Sequence, residues 1–124
     1  MNEYEALIKR SLGELDASEV LIQYEAFNAS VSRTYYAMFY AVQALFVKQN
    51  IVSSSHNGTI STFSKLFVNT GILPKTLGRA LNDIFEMRQS SDYDYVSFVA
   101  REKAIEVLNT GKHFVTTILE HLKK

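Results

Sequence analysis

The stretch from about residue 28 to 49 constrains the fold most, because it is apolar on nearly every side of a helix. One helical face carries large apolar side chains: Val31, Tyr35, Met38, Val42, Leu45 and Phe46. The opposite face carries Tyr36, Tyr40, Gln43 and Val47, and a third strip consists of Ala37, Ala41 and Ala44. A helix that is apolar nearly all round is buried on more than one side. We therefore expect a central helix whose alanine strip lets a neighbouring helix approach closely and whose second face meets a second subunit.

Apolar periodicity predicts further helices around the central one. They cover about residues 2–24, 58–69, 74–89 and 97–122. The apolar face of the first consists of Tyr4, Leu7, Ile8, Leu12, Leu15 and Ile22. No strand pattern competes, and the chain has only one proline and five glycines. We predict one domain over residues 1–124, an all-α up-and-down four-helix bundle with one additional short helix.

Several residues indicate where these helices begin and end. Gly71 fits the left-handed position that follows a helix end, and Pro74 fits the first turn of the next helix. Residues 90–95 are expected to form a turn, and Asp94 or Ser97 is expected to cap the last helix. Within that last helix, Gly111 costs ~1 kcal/mol relative to alanine, which packing has to offset.

Bulk composition narrows the classes of function. Thirteen basic residues balance thirteen acidic ones, so the chain lacks the basic surplus of a simple nucleic-acid binder. The absence of cysteine excludes disulfides, a thiol nucleophile and a zinc–thiolate site. No signal-peptide pattern and no apolar run of ~20 residues is present. We expect a cytoplasmic protein that does not enter a membrane.

The three histidines do not form a recognisable metal motif. His56, His113 and His121 are far apart, and no Glu-x-x-His pair of the kind found in helical di-metal sites occurs. We therefore expect no metal and no cofactor. His56 differs from the other two because it lies in a loop beside a helix start. There it either caps the helix, which we favour, or contacts a phosphate.

Arg88 continues an apolar helical stripe formed by Leu77, Leu81 and Ile84. A guanidinium keeps its charge at any useful pH, so in such a seam it needs an anionic partner. That partner is either the carboxylate of Asp92 or an external phosphate. Helical spacing by itself favours the Asp92 pair, although such a pair contributes only ~0.2–0.5 kcal/mol.

Three segments of the chain together resemble a known family. They are Arg33-Thr-Tyr-Tyr-Ala-Met-Phe-Tyr-Ala, Ser55-His56-Asn-Gly with Phe63 and Phe67 after it, and Arg88-Gln-Ser-Ser-Asp-Tyr-Asp-Tyr. Their order and spacing are similar to those of the small stand-alone HEPN proteins of bacteria and archaea. The resemblance implies a helical bundle that forms a two-fold homodimer, and a minimal nucleotidyltransferase as partner.

The same resemblance implies roles for individual residues. Active HEPN proteins are metal-independent RNA endonucleases whose motif is an arginine, four to six residues and a histidine. Some continue with one residue and a tyrosine that the nucleotidyltransferase modifies with AMP. Arg88 matches the arginine, Tyr95 matches the modified tyrosine, and Tyr93 stands where the histidine would be. Asp92 would orient Arg88.

Tyr93 is a weak substitute for histidine, since a phenol with a pKa of about 10 is almost fully protonated at neutral pH. It can still donate a proton or stack on a base. The resemblance therefore implies an RNA- or nucleotide-binding module in a toxin–antitoxin-like pair, in which Arg88 clamps phosphate. One alternative is an active endoribonuclease toxin that uses another acid–base group, such as His56. The other is an adaptor bundle without ligand chemistry.

Overall fold

The computed structural model describes residues 1–93 and 98–124, with the backbone alone for residues 91–93. The described residues form five α-helices and contain no strand: α1 (Glu3–Gln23), α2 (Phe27–Gln49), α3 (His56–Phe63), α4 (Lys75–Tyr93) and α5 (Arg101–Leu122). A π-helical segment, Ser64–Val68, continues α3. The predicted all-α bundle is therefore confirmed.

Helix α2 lies at the centre of the bundle, as the sequence predicted. It packs against α1, α3, α4 and α5. The predicted large apolar face of α2 is fully inside the core, and so are its three alanines. The second face, with Tyr36 and Tyr40, is only partly buried. This face therefore keeps access to solvent within the described chain.

The apolar stripe predicted for α1 is partly wrong. Leu12 is 45% exposed, whereas Ser11 and Ser18 are completely buried against α2. The Ser11 hydroxyl donates to the carbonyl of Ala37 at 2.6 Å, and Ser18 lies 2.7 Å from the hydroxyl of Thr34. These small side chains satisfy their polar groups inside the interface, which lets α1 lie close to α2. Hydrophobicity patterns miss such residues because they treat serine as a surface residue.

Two predicted boundaries also need correction. Residues 90–93 are helical and not the start of a turn, because no glycine or proline interrupts α4 there and propensity is a weak guide. Helix α5 begins at Arg101, with Ala100 as its N-cap, and not near residue 97 as predicted. Asp94 and Ser97 themselves lie outside the described residues. Gly71 does adopt the predicted left-handed backbone, with φ of 80°.

The predicted capping role of His56 is wrong. Ser55 is the N-cap of α3, and its hydroxyl accepts the backbone N–H of Gly58 at 2.9 Å. His56 is the first residue of the helix proper, so its ring projects from the first turn of α3 toward α2. Because Ser55 caps the helix, the His56 ring can contact α2 instead.

Candidate functional site

Arg88 lies where the apolar face of α4 meets the second face of α2. The preceding stripe residues Leu77, Leu81 and Ile84 are buried as predicted, and Arg88 is half-buried. Its Nη2 donates a hydrogen bond to the hydroxyl of Tyr36 at 2.9 Å. Its Cζ lies 5.2 Å from the centre of the Tyr36 ring and 5.6 Å from that of Tyr35. Ring faces attract a guanidinium at this distance, so the two tyrosines hold the head group in place.

His56 lies next to the same tyrosines. Its Nδ1 is 2.6 Å from the hydroxyl of Tyr35, a residue with no exposed surface. The imidazole stacks on Phe39 with 4.3 Å between ring centres, and it lies 6.3 Å from the ring of Phe85. Stacking fixes the ring plane and the Tyr35 contact engages one ring nitrogen. The nitrogen that can meet a ligand is therefore Nε2.

Burial and charge set the protonation of this pair. Burial, followed by the positive charge of Arg88, lowers the pKa of His56 below its ordinary 6.5. Burial also raises the pKa of Tyr35 far above its usual range, although Arg88 opposes this effect. At neutral pH, His56 is therefore an uncharged imidazole and Tyr35 an intact phenol. A neutral imidazole can accept a proton, and a neighbouring guanidinium can bind the anion from which that proton comes.

The described residues thus bring together Arg88 and His56, two residues that the sequence analysis singled out separately. Asp92 and Tyr93 belong to the part of α4 whose side chains are not described, and Tyr95 lies outside the described residues. The Arg88–Asp92 pair, the role of Tyr93 and the modification of Tyr95 therefore stay predictions.

Sequence reasoning missed the part played by Tyr35 and Tyr36. It placed Tyr35 in the core, which is correct for the ring, but the hydroxyl reaches His56. A signal was present, since two adjacent tyrosines in the middle of an apolar helix place polar hydroxyls where buried partners must meet them. Among the side chains that the structure describes, those of residues 1–90 and 98–124, no group of three His, Cys, Asp or Glu residues could hold a metal ion.

Comparison with known proteins places this chain in a family. The model of the HEPN domain matches residues 4–122. The chain belongs to the HEPN family. No helix within the described residues has the length and apolarity needed to cross a membrane.

Curated relatives match over nearly the whole chain. A Methanocaldococcus jannaschii protein named "Putative toxin" is 35% identical over 97% of this chain and 82% of its own length. A second protein of that organism with the same kind of name is 30% identical over 98% of this chain and 90% of its own length. A UPF0332 protein of Thermotoga maritima is 33% identical over 100% of this chain and 99% of its own length.

Proposed function

We propose that this HEPN protein binds RNA through a phosphate group held by Arg88, as the toxin-like member of a pair with a minimal nucleotidyltransferase. The observation that carries the proposal is the position of the Arg88 guanidinium. It lies over two tyrosine rings, at a partly open edge of the bundle, beside a neutral His56. The toxin names of two relatives agree with this role.

The contacts of Arg88 suit a phosphate clamp. Ring faces and the Tyr36 hydroxyl hold its head group, so little conformational freedom remains to be lost on binding. Guanidinium donors match phosphate oxygens in a bidentate way. The Tyr36 hydroxyl and the Nε2 atom of His56 lie at the same site and offer further hydrogen bonds to the ribose or to a base.

The partner and the assembly belong to the same proposal. In a two-fold dimer the two copies of Arg88 form a cationic cleft in a chain whose formal net charge is zero. Tyr95, seven positions beyond Arg88, is the proposed acceptor of AMP from the nucleotidyltransferase. AMP would add negative charge near that cleft and so weaken RNA binding.

RNA binding by matched variants tests the clamp. Fluorescence anisotropy with a labelled single-stranded RNA should show about tenfold weaker binding for Arg88→Ala, as expected for a lost charged hydrogen bond. Arg79→Ala is the matched control, because Arg79 is exposed on the opposite face of α4. If Arg88→Ala binds as tightly as Arg79→Ala, Arg88 is not a phosphate clamp.

Endoribonuclease activity is the second candidate, and the neutral His56 beside Arg88 favours it. The proposed step uses the His56 tautomer whose Nδ1–H donates to the Tyr35 hydroxyl, so that Nε2 accepts the proton of the ribose 2′-hydroxyl. The 2′-oxygen then attacks phosphorus, the bond from phosphorus to the 5′-oxygen breaks, and that oxygen takes a proton from a water molecule, whose hydroxide recovers the proton from Nε2 of His56. Arg88 stabilises the charge that builds on the phosphate oxygens. The products are a 2′,3′-cyclic phosphate and a 5′-hydroxyl end.

Product analysis separates this activity from binding alone. We expect wild-type protein to produce cyclic phosphate ends, and His56→Gln to lose cleavage by at least about a hundredfold while it still binds RNA. On expression, His56→Ala should likewise relieve growth arrest. Full cleavage by His56→Gln would exclude His56 as the acid–base group. Intact RNA after incubation with the wild type would leave binding as the function of the site.

A further inference from the structure

Beyond Arg88, cationic side chains lie over tyrosine rings along the α1–α2 surface. Cζ of Arg33 is 4.9 Å from the centre of the Tyr36 ring, the ring that Arg88 also contacts. Cζ of Arg10, on α1, is 5.3 Å from the centre of the Tyr40 ring. The Tyr36 and Tyr40 rings are 6.1 Å apart. These five residues form what we call the tyrosine–arginine strip.

The strip is positively charged although the whole chain is neutral. It holds three arginines, and Glu14 lies 2.8 Å from one of them, Arg33. Arg10 is exposed, and Tyr36 and Tyr40 are partly exposed. The same arrangement recurs further along this helix pair, where Nζ of Lys48 lies 4.9 Å from the centre of the Tyr4 ring.

Cations and aromatic rings that alternate along a line are typical of surfaces that bind unpaired nucleic acid. Arginines follow the phosphates, and ring or guanidinium planes stack on bases without sequence preference. The tyrosine rings hold the guanidinium groups of the strip in place, so little side-chain freedom is lost when a ligand binds. The strip starts at Arg88, so one strand can occupy both the clamp and the strip.

We propose that a single-stranded RNA bound at Arg88 continues along the tyrosine–arginine strip toward Arg10. This inference rests on the proposed function of Arg88 and adds the path and the strandedness of the RNA. A second copy of the chain is the competing occupant of this surface. Charge complementarity favours RNA, since the strip continues the cationic cleft that two copies of Arg88 would form, and a polyanion neutralises both.

The ratio of two RNA affinities tests the path. The probes are a labelled single-stranded RNA of about 12 nucleotides and a labelled trinucleotide, since the shorter RNA reaches only part of the surface. Arg10→Ala should lower the ratio of long to short affinity about tenfold. It should also reduce the slope of log affinity against log salt by about 0.7, the value for one phosphate contact on a single strand. Arg79→Ala, away from the strip, is the charge-matched control.

Substitutions of Tyr40 test the path independently, by the same ratio of long to short RNA affinity. Tyr40→Leu should lower the ratio at least about fivefold, because the stacking plane is lost. Tyr40→Phe should retain the ratio, because the ring remains. Melting temperatures of all variants confirm that each one is folded.

The outcomes distinguish the path from the clamp. If Arg10→Ala and Tyr40→Leu keep the wild-type ratio while Arg88→Ala weakens both probes, the path is wrong and the clamp stands. If Arg88→Ala leaves both probes unaffected, the clamp itself is wrong. If Arg10→Ala lowers the ratio but also dissociates a dimer in sedimentation velocity, the surface is a subunit interface and the path is overturned.

Discussion

Alanine at Gly111 is expected to destabilise the protein even though it favours the helix. Gly111 is buried in the middle of α5, and a Cβ atom there would collide with Cγ2 of Thr34 and lie 3.8 Å from Cδ2 of Leu15. Thr34 has no exposed surface, and its hydroxyl is 2.7 Å from that of Ser18. The threonine therefore cannot rotate away without leaving a buried hydroxyl unpaired.

The two opposing contributions can be compared. Helix propensity favours alanine over glycine by about 1 kcal/mol. Overpacking of a core costs about 1–3 kcal/mol, and a lost buried hydrogen bond costs about 1 kcal/mol more. We expect Gly111→Ala to lower the free energy of unfolding by about 1–3 kcal/mol. Tyr35, which follows Thr34 in the sequence, belongs to the candidate site, so the strain at Thr34 would act close to His56.

Urea denaturation followed by circular dichroism measures this effect, at one protein concentration because a dimer would make stability depend on it. Gly13→Ala is the matched control, since Gly13 is exposed in α1 and a Cβ atom added there would meet no other atom within 4 Å; it should gain about 1 kcal/mol. Thr34→Ser removes Cγ2 and keeps the hydroxyl, so it should relieve most of the Gly111→Ala penalty. Stabilisation of Gly111→Ala equal to that of Gly13→Ala would refute the packing argument.

Three further predictions concern the site and the strip. Glu14→Gln removes the carboxylate that lies 2.8 Å from Arg33, so it should tighten RNA binding and steepen the salt dependence by about 0.7; unchanged anisotropy titrations would contradict this. Tyr35→Phe deletes the 2.6 Å contact with His56 and should lower the free energy of unfolding by about 1 kcal/mol in urea titrations, whereas an unchanged midpoint would mean that the contact contributes nothing. Folding lowers the pKa of His56, so as pH falls the imidazole of the unfolded chain becomes protonated before that of the folded chain. The free energy of unfolding should therefore fall as pH drops below 6.5, until the pKa of the folded state is reached. His56→Gln should lose this component of the pH dependence, and identical pH profiles for the variant and the wild type would exclude the shift.

The sequence predicted most of the helices because the signals that form them are local. Apolar spacing identified α2 as central, and the left-handed residue Gly71 was predicted from its place after a helix. Local signals failed where the tertiary contacts decide the outcome. Ser18 is buried because Ser30 and Thr34 on α2 satisfy its hydroxyl, which no periodicity of α1 reveals.

Gly111 is a second residue whose role could not be predicted from local sequence signals. By helix propensity it is a weakness in α5, and only the packed structure shows that the close approach of Thr34 requires it. The glycine is thus a packing residue, and the helix accepts its cost in propensity because any side chain there would cost more.

For the candidate site, residue spacing alone established that Arg88 continues a buried helical stripe and that His56 stands apart from the other histidines. The packing of the helices then brought these two residues into one site. Tyr36 and Arg88 are 52 positions apart, and Tyr35 and His56 are 21 apart. Contacts over such separations depend on how helices pack and on which side chains fill the space between them, and a residue pattern within one helix carries no information about either.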